Sequence, residues 1–186
     1  MRIAITGGSG FIGKPLIRAL CDIGHHVCAL EHQSPVAPYK NLTVVSGSLN
    51  DDPALAEFLA GADVCVHLAG LVAARTENDF FKINTQATER LMTAAQNAKV
   101  KRFLYVSSLA AREPHLSAYA QSKRDAEDIV LKHSDIPTDV IRPAAVYGPA
   151  DTQTFKIFES VQKGLAVLPG QGNGRVSVIH VDDLVQ

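Results

Sequence analysis

The stretch "TGGSGFIG", residues 6–13, sits between a short β-branched run, "RIAIT", and an amphipathic segment over residues 11–23. Few arrangements constrain a fold more tightly. Gly7, Gly10 and Gly13 follow a G-x-x-G-x-x-G spacing, and Gly8, Gly10 and Gly13 a G-x-G-x-x-G spacing. Glycines there permit a tight strand-to-helix turn, let backbone approach a pyrophosphate, and bring the helix close to the sheet. The helix start adds unpaired N–H groups and a partial positive charge that suit phosphate. With the strand before it and the helix after it, the motif predicts a dinucleotide site.

The rest of the chain repeats that strand–helix alternation. "HVCAL" (26–30), "LTVVSG" (42–47), "DVCVHLA" (63–69), "RFLYVS" (102–107) and "TDVIRP" (138–143) read as further strands. "DPALAEFLAG" (52–61) reads as a helix with Asp51 or Asp52 as its cap, Pro53 in its first turn and Gly61 past its end. Longer helices are expected over 78–98 and 118–133, with a loop over 32–40. Near-continuous apolar strands alternating with helices predict an α/β, doubly wound parallel sheet covered on both faces. At 186 residues, 46% apolar and 20% charged, the chain is long enough for a proper core. We expect a dinucleotide-binding domain over 1–150 and the start of a substrate-binding portion over 151–186.

Other classes fall away. A net charge of −1 gives no reason to expect nucleic acid or an acidic membrane as partner. Cys21, Cys28 and Cys65 lack metal or disulfide spacing and read as reduced core thiols, with no metal site expected. The N-terminal apolar run is too short for a signal or a membrane span, which predicts a cytoplasmic protein.

Two acid–base features stand out. Glu31, at the end of the second strand, is placed to accept hydrogen bonds from an adenosine ribose, which favours NAD and leaves NADP as an alternative. Tyr119 and Lys123 in "SAYAQSK" are one helical turn apart on one face. A fixed ammonium beside a phenol favours the phenolate, and so makes the hydroxyl a proton carrier. A solvated Tyr and Lys sharing a helix would show the same spacing.

Taken in order, "TGGSGFIG", "DVCVHLAG", "INTQATERLMTAAQNAKVKRFLYVSS", Tyr119-x-x-x-Lys123, "IRPAAVYGP" and "VIHVDDL" resemble the extended short-chain dehydrogenase/reductases, the NAD-dependent epimerase/dehydratase family. The resemblance covers essentially the whole chain and implies a Rossmann-type fold. It implies Tyr119 as acid/base, Lys123 on the nicotinamide ribose, and Ser108 orienting the reacting oxygen, with Ser107 as the alternative. Gly7, Gly10, Phe11, Ile12, Gly13, Glu31, Leu49, Leu68, Ala69, Gly70, Tyr119, Lys123 and Pro143 are implied in cofactor binding. Asn84 matches an asparagine near the site, though it reads equally as a buried helix residue.

Ser48 stands where the family commonly has an aspartate facing adenine, and the eleven positions from Ser108 to Tyr119 are fewer than in typical sugar-nucleotide epimerases. Extended members also run on beyond "HVDDL", so the substrate lobe is expected to be incomplete. The resemblance implies a nucleotide-sugar epimerase or dehydratase. The alternatives are an NAD(P)H-dependent reductase of a small carbonyl or steroid-like alcohol, and a non-catalytic cofactor sensor. A homodimer through the helices at 78–98 and 118–133 is a further expectation. His67 and His180 read as structural, and Arg75 and Arg175 as surface residues, the alternatives being the substrate entrance for Arg75 and a substrate phosphate for Arg175.

Overall fold

The computed structural model describes residues 1–132, 135–152, 154–165 and 174–186. His133, the expected last residue of one helix, lies outside the described residues. The chain begins with β1 (Arg2–Thr6), α1 (Gly13–Asp22), β2 (His26–Glu31), β3 (Leu42–Ser46), α2 (Asp52–Leu59) and β4 (Val64–His67). Then come α3 (Glu77–Phe80), a π-helical turn (Phe81–Gln86) and α4 (Ala87–Asn97), in one continuous run. β5 (Arg102–Val106), two short 3-10 turns, α5 (Ala118–Lys132) and β6 (Thr138–Ile141) complete the main layer. The order β3-β2-β1-β4-β5-β6, parallel at every pairing, is the doubly wound sheet that the alternation predicts.

Local chemistry sets the helix starts. Asp51 Oδ1 accepts from Ala54 N at 3.1 Å, and Pro53 fills the first turn of α2, whose missing N–H would have no helical partner anyway. Thr76 and Asp79 exchange side-chain and backbone hydrogen bonds as a capping box on α3. Ser117 Oγ accepts from Ala120 N at 3.1 Å, so the serine before Tyr119 fixes where α5 begins.

Side chains alternate between two cores, as the strand period requires. Ala4, Cys28, Cys65, Phe103 and Tyr105 join Leu55, Phe58, Leu91 and Val130 on one face. Ile3, Ile5, Val27 and Val66 join Ile17 and Cys21 on the other. All three cysteines are buried free thiols. Beyond β6, β7 (Ala145–Tyr147) pairs in parallel with β8 (Val178–His180), α6 (Phe155–Gln162) lies between them in the chain, and α7 (Val181–Val185) packs on that small sheet. Val181 is buried, and His180 Nδ1 accepts from Asp182 N at 3.3 Å, so His180 caps α7.

Candidate active site

The sheet order reverses between β1 and β4, so the loops after their carboxyl ends diverge and open a crevice. One part, about 350 Å³, runs from Thr6, Gly7 and Gly10 across Leu68, Ala69 and Gly70 to Leu49 and the segment His32–Gln33–Ser34. The other, about 450 Å³, shares Gly7, Gly10, Leu68 and Gly70. It reaches past Phe11, Ile12 and Gly13 to Ser107, Ser108, Tyr119, Lys123 and Pro143. Every cofactor residue expected from the sequence except Glu31 lines one part or both.

The glycine turn is built for close approach. Gly7 has φ +73°, and a Cβ there would stand 2.7 Å from Ala69 N. A Cβ on Gly13 would stand 2.2 Å from the Gly7 carbonyl oxygen. No side chain caps α1 at Ile12, and its first turn holds no acid. The N–H groups at that helix start are therefore free of side-chain competition for a pyrophosphate. These residues fit a dinucleotide.

Glu31 ends β2, where the sequence reading puts it, but it does not line either part of the crevice. It is half-buried, and its Oε2 accepts from Val36 N at 2.7 Å, so the carboxylate braces the loop after β2. The adenosine-side wall there is made by the side chains that follow it. Ser48 Oγ accepts from Asn50 N at 3.1 Å on the same wall.

Tyr119, half-buried, leans its ring on Phe80 at 5.7 Å between centroids. Lys123 is buried: one of its three N–H donors goes to the Val106 carbonyl at 2.9 Å, and its Nζ lies 4.4 Å from the centroid of Tyr105. Burial pushes the Lys123 ammonium down to about 8, against the opposing pull of the Glu127 carboxylate one turn further along α5. Glu127 is itself buried and held bidentately by Arg142, at 2.9 Å through Nε and 2.5 Å through Nη2. Burial alone would push its carboxyl up, but the Arg142 hydrogen bonds, a nearby Ser107 hydroxyl and the neighbouring cations outweigh that and leave it lowered.

The two serines differ. Ser108 Oγ accepts from Ala110 N at 3.2 Å, capping the first 3-10 turn and keeping its own hydroxyl proton to donate. Ser107 is buried, and no hydrogen bond of ordinary geometry satisfies its Oγ, although Glu127 is near. Asn84, in the π turn, has Oδ1 accepting from Leu71 N at 2.7 Å and Nδ2 donating to Leu71 O and Ser122 Oγ, both at 3.0 Å. Arg75 and Arg175 are exposed and line neither part of the crevice. Glu127 and Arg142 carried no local signal in the sequence beyond the i, i+4 step from Lys123. Among the described residues no group of His, Cys, Asp and Glu is arranged to hold a metal, and no helix is long and apolar enough to cross a membrane.

A parallel sheet with a glycine turn at its switch point, opening onto a Tyr–Lys pair, defines a dinucleotide-dependent oxidoreductase fold. A sequence model of the NAD dependent epimerase/dehydratase family matches residues 3–186, and the chain belongs to that family, whose cofactor is NAD. It is 41% identical to the ceramide reductase of Caulobacter vibrioides, over 97% of this chain and 57% of that protein. It is 31% identical to the 3 beta-hydroxysteroid dehydrogenase/Delta 5-->4-isomerase of Mycobacterium tuberculosis, over 99% of this chain and 58% of that protein. The structure of MoeE5 in complex with UDP-glucose and NAD superposes with a TM-score of 0.85 at 28% identity, covering all of this chain and 69% of that one. The chain thus spans under three-fifths of the length of these curated relatives.

Proposed function

We propose that this chain carries the cofactor site and the proton-transfer site of an oxidoreductase acting on a secondary alcohol or ketone of a largely apolar substrate. NAD, when bound, supplies the hydride chemistry. Tyr119 exchanges the hydroxyl proton, Ser108 donates to the reacting oxygen to orient it, and Lys123 holds ribose hydroxyls. The observation that carries the reading is the joint lining of one crevice by Ser108, Tyr119, Lys123 and the glycine turn.

The substrate side of that crevice supports an apolar partner. Phe11, Leu71, Val72, Ala144 and Val146 line it, and its charged side chains are Lys123 and Asp151. A nucleotide-sugar diphosphate calls for cationic partners, and among the described residues the lining offers Lys123. The greater identity to a ceramide reductase than to MoeE5 agrees with this choice. The nucleotide-sugar reading keeps one specific support, the close superposition on MoeE5 with UDP-glucose.

The test is NADH oxidation with a long-chain ketosphingoid lipid, a 3-ketosteroid and a UDP-sugar in parallel. Turnover of an apolar ketone, lowered roughly 10²–10⁴-fold in Tyr119→Phe with NADH affinity retained, is the expected result. Full turnover in Tyr119→Phe would overturn the acid/base role, and turnover of the UDP-sugar alone would favour the second reading.

A further inference from the structure

Beneath the crevice lies a line of buried polar side chains that the proposed chemistry does not use. Ala69 N donates to Thr6 Oγ1 at 3.2 Å, and Thr6 Oγ1 lies 2.6 Å from His67 Nδ1. On the other side of the ring, Nε2 lies 2.8 Å from Thr88 Oγ1, which donates to the Asn84 carbonyl at 2.7 Å. Asn84 Nδ2 then donates to Ser122 Oγ, and Ser122 Oγ donates to the Tyr119 carbonyl at 2.8 Å. Thr6, His67, Asn84, Thr88 and Ser122 are each at most 1% exposed.

The hydrogens in this chain can be placed by counting. Thr88 has one hydroxyl proton and spends it on Asn84, so toward the imidazole it can only accept. Nε2 must then carry the hydrogen. In a neutral ring that leaves Nδ1 bare, and it accepts from Thr6, whose oxygen in turn accepts from Ala69. Every donor is used once and every acceptor is met. The ring stays neutral because burial, and secondarily the Lys123 charge, push it down to about 3.

We propose that His67, held as its Nε2–H tautomer, is a positioning residue that ties the dinucleotide turn to the π turn and, through Asn84 and Ser122, to the backbone of Tyr119. The register supports this: Thr6 and His67 are partners across β1 and β4, so the ring starts beside the glycine turn and spans to the beginning of α4. The π turn supports it too, since Ala87 N reaches five residues back to Lys82, and insertions of this kind displace carbonyls from the regular ladder. Thr88 meets the Asn84 carbonyl in that displaced stretch. The ring also stacks on Tyr105 at 5.6 Å, the same side chain that Lys123 overlies. A buried donor or acceptor left without its partner costs about 1–3 kcal/mol, so the chain is cheapest when both ends keep their spacing.

The inference rests on the Tyr119 and NAD reading above, and its test separates the two. Nitrogen-15 NMR of the wild-type protein reads the tautomer directly, and a protonated Nε2 with a bare Nδ1 is expected at neutral pH. Thr88→Val removes the link on the helix side without touching a residue that lines the crevice. It should weaken NAD binding roughly three- to tenfold, and lower the rate at saturating NAD by a similar factor. His67→Gln, which still reaches toward Thr88, should retain more of that rate than His67→Ala. An Nδ1–H tautomer overturns the proposal even if every variant misfolds. So does a Thr88→Val protein whose melting temperature falls while NAD affinity and rate stay at wild-type values. Failure of Tyr119→Phe to lower turnover would leave the tautomer and NAD readouts standing.

Discussion

Phe58 and Phe158 are the same side chain in two different surroundings. Phe58, on α2, is fully buried against the sheet with Leu55, Leu91 and Phe103. Phe158, on α6, is 60% exposed, in company with Phe155, Val161, Val176 and Val178, all more than half exposed. The six-stranded part of the molecule closes its own core on both faces and supplies the glycine turn, Ser108, Tyr119 and Lys123 to the crevice. The segment after Pro143 lines part of the crevice and leaves Phe155, Phe158 and Val161 of α6 exposed. Fixed cofactor geometry needs a packed frame, since a displacement of the glycine turn relative to Tyr119 would misalign both halves of the reaction. The segment after Pro143 is built with much less of its own packing.

The sharpest way to break this comparison is to cut both phenylalanines to alanine. Phe58→Ala should destabilise by about 3–5 kcal/mol, because it opens a cavity in a close-packed layer, and a urea titration reads it as a lower midpoint. Next in size is the pH response of Lys123. Its folded value of about 8 lies below the ordinary 10.5. Below about 8 both the folded and unfolded chains hold this proton, so it contributes no slope. Between about 8 and 10.5 only the unfolded chain holds it, so stability rises with pH, by a few kcal/mol in total on an order-of-magnitude reckoning. Under the proposed function activity should move the opposite way, since the ammonium proposed to hold the ribose is the form lost above about pH 8. Denaturation midpoints and rate profiles from pH 7 to 10 should therefore diverge. In Lys123→Met the stability slope of this group should vanish.

A smaller effect concerns the glycine turn alone. In Gly13→Ala the new Cβ meets the Gly7 carbonyl and Gly8 Cα, both backbone atoms of the same turn, at 2.2 and 2.7 Å. Relief must displace backbone, at roughly 1–3 kcal/mol, and NAD affinity measured by calorimetry should fall about ten- to a hundredfold. Unchanged affinity would mean that the turn does not have to stay where it is to meet the cofactor.

The sheet was legible because parallel strands covered on both faces must be apolar along their length. "RIAIT", "HVCAL" and "DVCVHLA" announce themselves without help from neighbours. The glycine turn was legible because its spacing is a backbone requirement, and Tyr119 and Lys123 because one helical turn is written in the numbering. What stayed hidden depends on partners distant along the chain. Glu31 turns to Val36 only because the loop after β2 folds back over it. His67 meets Thr6 and Thr88 across 61 and 21 residues, and no local pattern marks that junction. The π turn interrupts an expected continuous helix over 78–98 without a Gly or Pro to signal it. Ser107 and Ser108 are chemically alike in sequence and differ only in what α5 and the 3-10 turn place beside them.

The smallest predicted effect sharpens the comparison most. Phe158→Ala removes as many atoms as Phe58→Ala, yet at 60% exposure little of the side chain leaves contact with protein, and almost no cavity forms. Its cost to stability of this chain should stay within about 0.5 kcal/mol, measured by the same urea titration. The ratio between the two phenylalanines then reports how differently the two parts are packed, free of residue-type effects. A value for Phe158 approaching that of Phe58 would mean the α6 face is covered in solution. It would then belong to the packed frame, and the contrast between a closed six-stranded part and an open segment after Pro143 would fail.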